Sequence, residues 1–193
     1  KDAYLAGGTA LALQIGHRIS VDLDFFTRKN FNEKTFIREL IKLPVNFQLE
    51  QSSEGTILGY LNKTRFSLFF YDYPLLARPQ KFLNINVADI KDIAPMKLAA
   101  ISDRGRKRDF IDLYFILAGE RVFTLEEVLR LYDKKFRVLR QNKIHILKSL
   151  SYFEDAEKDP IPKMLKDVSW LEVKKFFEKE IKNITKKFLI SKF

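Results

Sequence analysis

The stretch GGTALALQIGHRISVDLDFF, residues 7–26, decides how this chain is read. Between Thr9 and Gly16 its apolar residues are short and helix-permissive, which predicts a helix with Thr9 near the N-cap and Gly7 and Gly8 in the turn before it. VDLDFF then alternates as a strand does, with Asp22, Asp24 and Phe26 on one face and Leu23 and Phe25 on the other. Side chains at i and i+2 of a strand leave the same face with Cβ atoms roughly 6.5–7 Å apart, so the two carboxylates converge. Carboxylates that close repel one another unless a cation sits between them, and a hard divalent ion such as Mg²⁺ suits their oxygen ligands. The helix start adds backbone N–H groups and a positive dipole end, and two glycines let a phosphate approach. The stretch therefore reads as a phosphate and metal site at one strand end.

Working outward, the chain has 193 residues, enough for one sizeable domain or a core with a small lobe. No long apolar run and no signal-peptide pattern occur, so no membrane contact is expected and the cytoplasm is the default location. With no cysteine, disulfides, thiolate nucleophiles and cysteine zinc sites are excluded. Net charge is +10 and is uneven: residues 1–120 carry 17 basic and 14 acidic residues, whereas residues 121–193 carry 18 and 11. A basic excess in one segment suits a polyanion, RNA or DNA first. The lysines concerned include Lys174, Lys175, Lys179, Lys182, Lys186 and Lys187, several of which share a polar helical face. The 18 phenylalanines fall mostly in apolar stripes and strands and are read as core.

NEKTFIRELIKL predicts an amphipathic helix burying Phe36, Ile37, Leu40, Ile41 and Leu43. VNFQLEQ, TILGYLN, RFSLFFYDY and FLNINVA predict strands. A helix follows with Asp92 as N-cap and Pro95 in its first turn, ending near Gly105. RKRDFIDLYFILAG predicts another, with Phe110, Leu113, Tyr114 and Leu117 at helical spacing and Gly119 as C-cap. Thr124 with Glu127 and Ser169 with Glu172 are capping boxes opening further helices. The expected fold class is α/β (α+β): a mixed central sheet flanked by helices over residues 1–120, with a basic helical lobe over 121–193.

GGT, a helix and then HRISVDLDFF resemble the signature of the nucleotidyltransferase superfamily that includes DNA polymerase beta and the CCA-adding enzymes. The likeness is greater still to the AbiEii/AbiGii toxin branch, which carries GGTAL followed by HR, S and DLDFF. A second block, DIAPMKLAAISDRGRKRDFIDLYFIL, is similar to that branch's downstream Lys and Arg-Asp-x-x-Asp-Leu segment, so the resemblance covers residues 4–118 in order.

The resemblance implies that Asp22 and Asp24 bind Mg²⁺ on the nucleotide phosphates, that Gly7, Gly8 and Thr9 hold the triphosphate, and that Lys97 neutralises the departing phosphates. It also gives Asp112 a site role in preference to Asp109, and Arg18 a forked contact to a phosphate or a carboxylate, with His17 ordering the turn. The bland reading of Asp109 and Asp112 is a pairing with Arg104, Arg106 or Arg108. Polymerase-like members carry a third carboxylate where Ser67 stands here, and Asp72, five residues on, faces the other side of an ideal strand, which favours one metal over two. The implied activity is transfer of a nucleoside monophosphate from an NTP to RNA, a tRNA 3′ end, by the toxin of a toxin–antitoxin pair with a cognate antitoxin protein. Other readings are transfer to a small-molecule acceptor, a metal-independent HEPN-like ribonuclease using Arg140 and His145, and a non-catalytic nucleotide- or RNA-binding module.

Overall fold

The computed structural model describes residues 2–137 and 143–190. Seven strands form one mixed sheet: β1 (Tyr4–Ala6), β2 (Leu23–Thr27), β3 (Phe47–Ser53), β4 (Thr56–Leu61), β5 (Thr64–Phe70), β6 (Gln80–Phe82) and β7 (Ile85–Val87). Their order is β3-β4-β5-β2-β1-β7-β6, with β2 parallel to β5, β1 parallel to β7 and every other neighbouring pair antiparallel.

The central pair fixes what each face of the sheet carries. Leu23 and Phe25 of β2 stand beside Phe66 and Leu68 of β5, and Asp24 and Phe26 beside Ser67 and Phe69. The first four side chains pack with Ile57, Leu40 and Phe36 under α2 (Glu33–Ile41), whose N-cap Asn32 accepts from the Thr35 amide. Ile41 and Leu43, expected in that stripe, are exposed, because the helix stops within a turn of Leu40 and the chain swings out to the edge strand.

The other face is covered by the remaining helices. These are α1 (Gly7–Ile15), α3 (Ile90–Arg104), α4 (Lys107–Tyr114) with a π-helical continuation over Phe115–Gly119, α5 (Leu125–Lys135), α6 (Lys143–Leu150), α7 (Glu154–Glu157) and α8 (Trp170–Ile190). One apolar cluster joins Leu11, Leu98 and Phe110 to Val128, Ile146, Phe177 and Ile184, so the helices after residue 120 share a core with those before it. Phe110 meets the rings of Phe153, Trp170 and Phe177 within 6 Å between centroids, contacts worth about 0.5–1.5 kcal/mol each beyond burial.

Several local expectations are corrected. The first helix starts at Gly7, with Ala6 as N-cap, so Thr9 lies in the first turn. Its hydroxyl is 3.0 Å from Ser20 Oγ and 2.5 Å from the Asp22 carbonyl oxygen. FLNINVA is a hairpin turned by Leu83 and Asn84, both at positive φ, where an apolar leucine gives no warning of a turn. Asp89, three residues ahead of the expected position, caps α3, so Pro95 falls in the second helical turn and leaves the Lys91 carbonyl without its i+4 donor. Gly119 is no left-handed cap: a Cβ there would stand 2.6 Å from the Phe115 ring, and close approach is what it permits. The Thr124–Glu127 box is complete, whereas Glu172 turns its carboxylate to the Tyr114 hydroxyl at 2.7 Å and leaves the Ser169 box half formed.

Candidate active site

A cleft of about 400 Å³ opens between the sheet and α3, at the level of Asp24. Asp24, Phe26, Phe69 and Tyr71 line it from the sheet side, with Gly7 beside Asp24. From the helical side come Met96, Lys97, Ala100 and Arg104, spaced as one face of α3, and Asp109 of α4. Gly7 has φ +72°, a left-handed conformation that suits glycine. A Cβ on it would stand 3.0 Å from Asp24 Oδ2, so the turn and the carboxylate are tightly apposed.

Behind the cleft wall lies a buried ionic lattice. Lys97 Nζ is 2.9 Å from Asp109 Oδ1 and 2.5 Å from Asp112 Oδ2. Asp112 also takes a two-pronged bond from Arg18, Nε at 2.6 Å and Nη2 at 2.9 Å, and one from His17 Nε2 at 2.7 Å. Arg104 donates to both oxygens of Asp109, Nε at 3.0 Å and Nη2 at 3.3 Å. Burial opposes ionisation of both aspartates, yet the Lys97 charge, with Arg18 and His17 bonds at Asp112 and Arg104 at Asp109, holds them below the usual carboxylate range. Burial pulls the Lys97 ammonium down, and Asp112 and Asp109 more than restore it.

The structure therefore divides the expected site residues. Asp24, Gly7, Lys97 and Asp109 reach the cleft. Asp109 and Asp112 are both fully buried, and of the two it is Asp109, not the favoured Asp112, that lines the cleft. Arg18 is committed to Asp112 and, through Nη1, to the Ile19 carbonyl at 3.2 Å, which leaves no fork for a phosphate. Gly8 serves that arrangement: a Cβ would sit 2.2 Å from Arg18 Nη2. His17 is buried on the same carboxylate, and its carbonyl accepts from Leu165 and Lys166 at 2.9 and 3.1 Å. Asp22 lies one residue before β2, partly exposed, with Arg108 Nη1 3.8 Å away.

Ser67 is the register neighbour of Asp24 and is buried, so a hydroxyl occupies the place of a third carboxylate. Asp72 is exposed and 3.8 Å from Arg28. Among the described residues no group of three or more His, Cys, Asp or Glu side chains could enclose a metal ion. A donor set of one or two carboxylates fits Mg²⁺ all the same, because that ion keeps water and phosphate oxygens in most of its positions. Of the HEPN-like pair, Arg140 lies outside the described residues and His145 is exposed on α6. The aromatic floor of Phe26, Phe69 and Tyr71 was missed, read from the sequence only as core. Its signal was the alternation in β5 continued to Tyr71.

A mixed sheet that sets a glycine turn against an aspartate on the neighbouring strand is the framework of a nucleotidyltransferase, and comparisons with known proteins agree. Two solved Helicobacter pylori structures share the fold at 20% identity: a "putative nucleotidyltransferase", with TM-score 0.53 over 96% of this chain and 89% of that one, and JHP933, with TM-score 0.52 over 100% and 89%. An uncharacterized protein of Aquifex aeolicus (strain VF5) is 42% identical over 187 residues, 94% of this chain and 87% of that protein. Residues 1–58 and 45–186 match the model of the family described as "Nucleotidyl transferase AbiEii toxin, Type IV TA system". The chain belongs to that AbiEii family, whose designation brings with it a nucleotide substrate and a cognate antitoxin. No helix among the described residues is long and apolar enough to cross a membrane.

Proposed function

We propose that this enzyme moves the nucleoside monophosphate of an NTP to an RNA hydroxyl, the 3′ end of a tRNA being the acceptor that the family resemblance implies. The observation that carries the reading is the cleft that holds Asp24, Gly7, Lys97 and Asp109 in one place, with aromatic rings on its floor. Asp24, with Asp22 two residues before it, would hold a divalent ion, Mg²⁺ by its preference for carboxylate and phosphate oxygens. Such an ion neutralises phosphate charge and orients an attacking hydroxyl.

The chain's own residues do the rest. Gly7 brings the start of α1, with its unpaired N–H groups, beside the phosphates. Thr9 acts by fixing the backbone at Asp22 through its hydroxyl. Lys97 presents positive charge at the helical wall, and Asp112 and Arg18 hold it there as positioning residues. The cations Lys97, Arg18 and Arg104 offset the buried carboxylates of Asp109 and Asp112. The basic segment from residue 121 onward supplies an RNA-facing surface. On α8, Lys175, Lys179, Lys182 and Lys186 are exposed at i, i+4, i+7 and i+11, opposite the buried Val173, Phe177 and Ile184.

The test is incubation of the protein with bulk tRNA, Mg²⁺ and each α-radiolabelled NTP, beside an Asp22→Ala/Asp24→Ala double variant of unchanged melting temperature. Label on RNA from the wild type only, abolished by EDTA, is the expected result. Label from the double variant, or from no NTP at all, overturns the reading.

A further inference from the structure

Next to the cleft, and sharing Asp103 and Arg104 with it, runs a second groove of about 390 Å³. Its far wall is α6 and the turn after it, which contribute His145, Lys148, Ser149 and Tyr152. Arg104 is the partition: Nε and Nη2 are bound to Asp109 on the cleft side, and Nη1 has no partner among the described residues. We propose that this groove seats one nucleotide unit of a single-stranded RNA acceptor, the unit that precedes the reacting hydroxyl. The proposal rests on the transferase reading for its direction, but the groove's chemistry stands on its own residues.

Four features fit a nucleotide better than a bare anion or an apolar ligand. The Tyr152 ring is about half exposed at 49%, and its hydroxyl donates to Glu154 at 3.0 Å, which holds the ring in place as a surface on which a base can stack. Neither the Lys148 ammonium nor the His145 ring has a side-chain partner among the described residues, so both are available to a phosphodiester. Ser102 adds a small polar residue to the groove wall, its Oγ buried and without a hydrogen-bond partner among the described residues. Asp103 adds an acceptor for a ribose hydroxyl or an exocyclic amine, while the remaining carboxylate, Asp155, is 3.4 Å from Lys158. The shared wall then gives the two sites an order: a strand end lying over Arg104 presents its terminal hydroxyl to the cleft and has the preceding unit in the groove.

Binding of a short fluorescein-labelled single-stranded RNA, measured by anisotropy at low salt, tests this without requiring turnover. The Lys148→Glu/Tyr152→Ala variant alters only half-exposed or exposed side chains, so it is expected to fold as the wild type does. Its RNA affinity is expected to fall at least about tenfold, while its affinity for a fluorescent NTP in the neighbouring cleft stays the same. RNA binding that is unchanged in the variant, or a probe displaced as well by a free nucleoside monophosphate as by unlabelled RNA, overturns the groove assignment. A wild-type protein that binds RNA through these residues but transfers no label refutes the transferase reading and leaves the groove standing, so the two failures are distinguishable.

Discussion

Gly8 and Arg18 are ten residues apart in sequence, yet they constrain each other directly. The guanidinium lies where a Cβ of Gly8 would be, and it cannot retreat because Asp112 grips two of its nitrogens. Gly8→Ala is therefore expected to cost about 1–3 kcal/mol and to lower the melting temperature by several degrees, whereas the same change at Gly16, with open space around it, meets no contact and strains only the backbone. Asp112→Asn should be worse. It strands Arg18 without its buried counter-charge and leaves Lys97 with Asp109 alone, a loss of about 3–5 kcal/mol, read as a fall in the denaturant midpoint. The residues of this site were legible as a set, since Gly7, Asp24, Lys97 and Asp109 all stand in the two motif blocks. Their division into those that face the cleft and those that brace it was not, because sequence spacing reports a helix face but not which neighbour already occupies it.

At the scale of elements, α3 organises the molecule: one of its faces lines the cleft, and its first turn carries a separate buried pair. Asp92 accepts from the amides of Leu76 and Ala77 and pairs with Lys135 of α5 at 2.7 Å, while the Lys135 ammonium also bonds the Pro74 carbonyl at 3.0 Å. A long connection running from Tyr71 past Ala77 is thus pinned to two helices by charge instead of by apolar packing. Lys135→Met is expected to destabilise the fold by about 3 kcal/mol and to make that connection the first site of limited proteolysis. If the connection stays resistant while stability falls, the pinning role is refuted. Sequence reading placed α2, β3 to β5 and the end of α3 at Gly105 correctly in type because each has periodic apolar residues or a glycine stop. It failed at Asp92, which looks like a cap and is a buried anchor. The partners that decide between those roles lie 16 and 43 residues away.

For the whole molecule, charge sets two further behaviours. Asp109 and Asp112 ionise more readily in the folded protein than in the unfolded chain, whose carboxyls have an ordinary value of 3.8. Their contribution is therefore present at neutral pH and is lost as the pH falls below about 4 toward the folded values. Melting temperature followed from pH 7 downward should drop in that window, and the drop should be shallower in Asp112→Asn, where the contribution of Asp112 is gone. Replacing Lys175, Lys179, Lys182 and Lys186 by Gln should leave melting unchanged, since all four are exposed, and should reduce the salt dependence of RNA binding. Each lysine that meets a phosphate of a single strand contributes about 0.7 to the slope of log affinity on log salt. An unaltered slope would mean that the stripe faces solvent even in the complex.

The short bridge in which Arg18 pairs with Met164, flanked by bonds from His17 and Ile19 to the chain at Lys163, Leu165 and Lys166, has a consequence in time. A chain emerging from the ribosome displays its glycine turn, Asp22 and Asp24 first, but this brace cannot close until residue 166 has left the exit tunnel. For a member of a toxin family, that order withholds the braced site until the segment at Lys163–Lys166 has been made, so a nascent chain that stalls short of it lacks the brace.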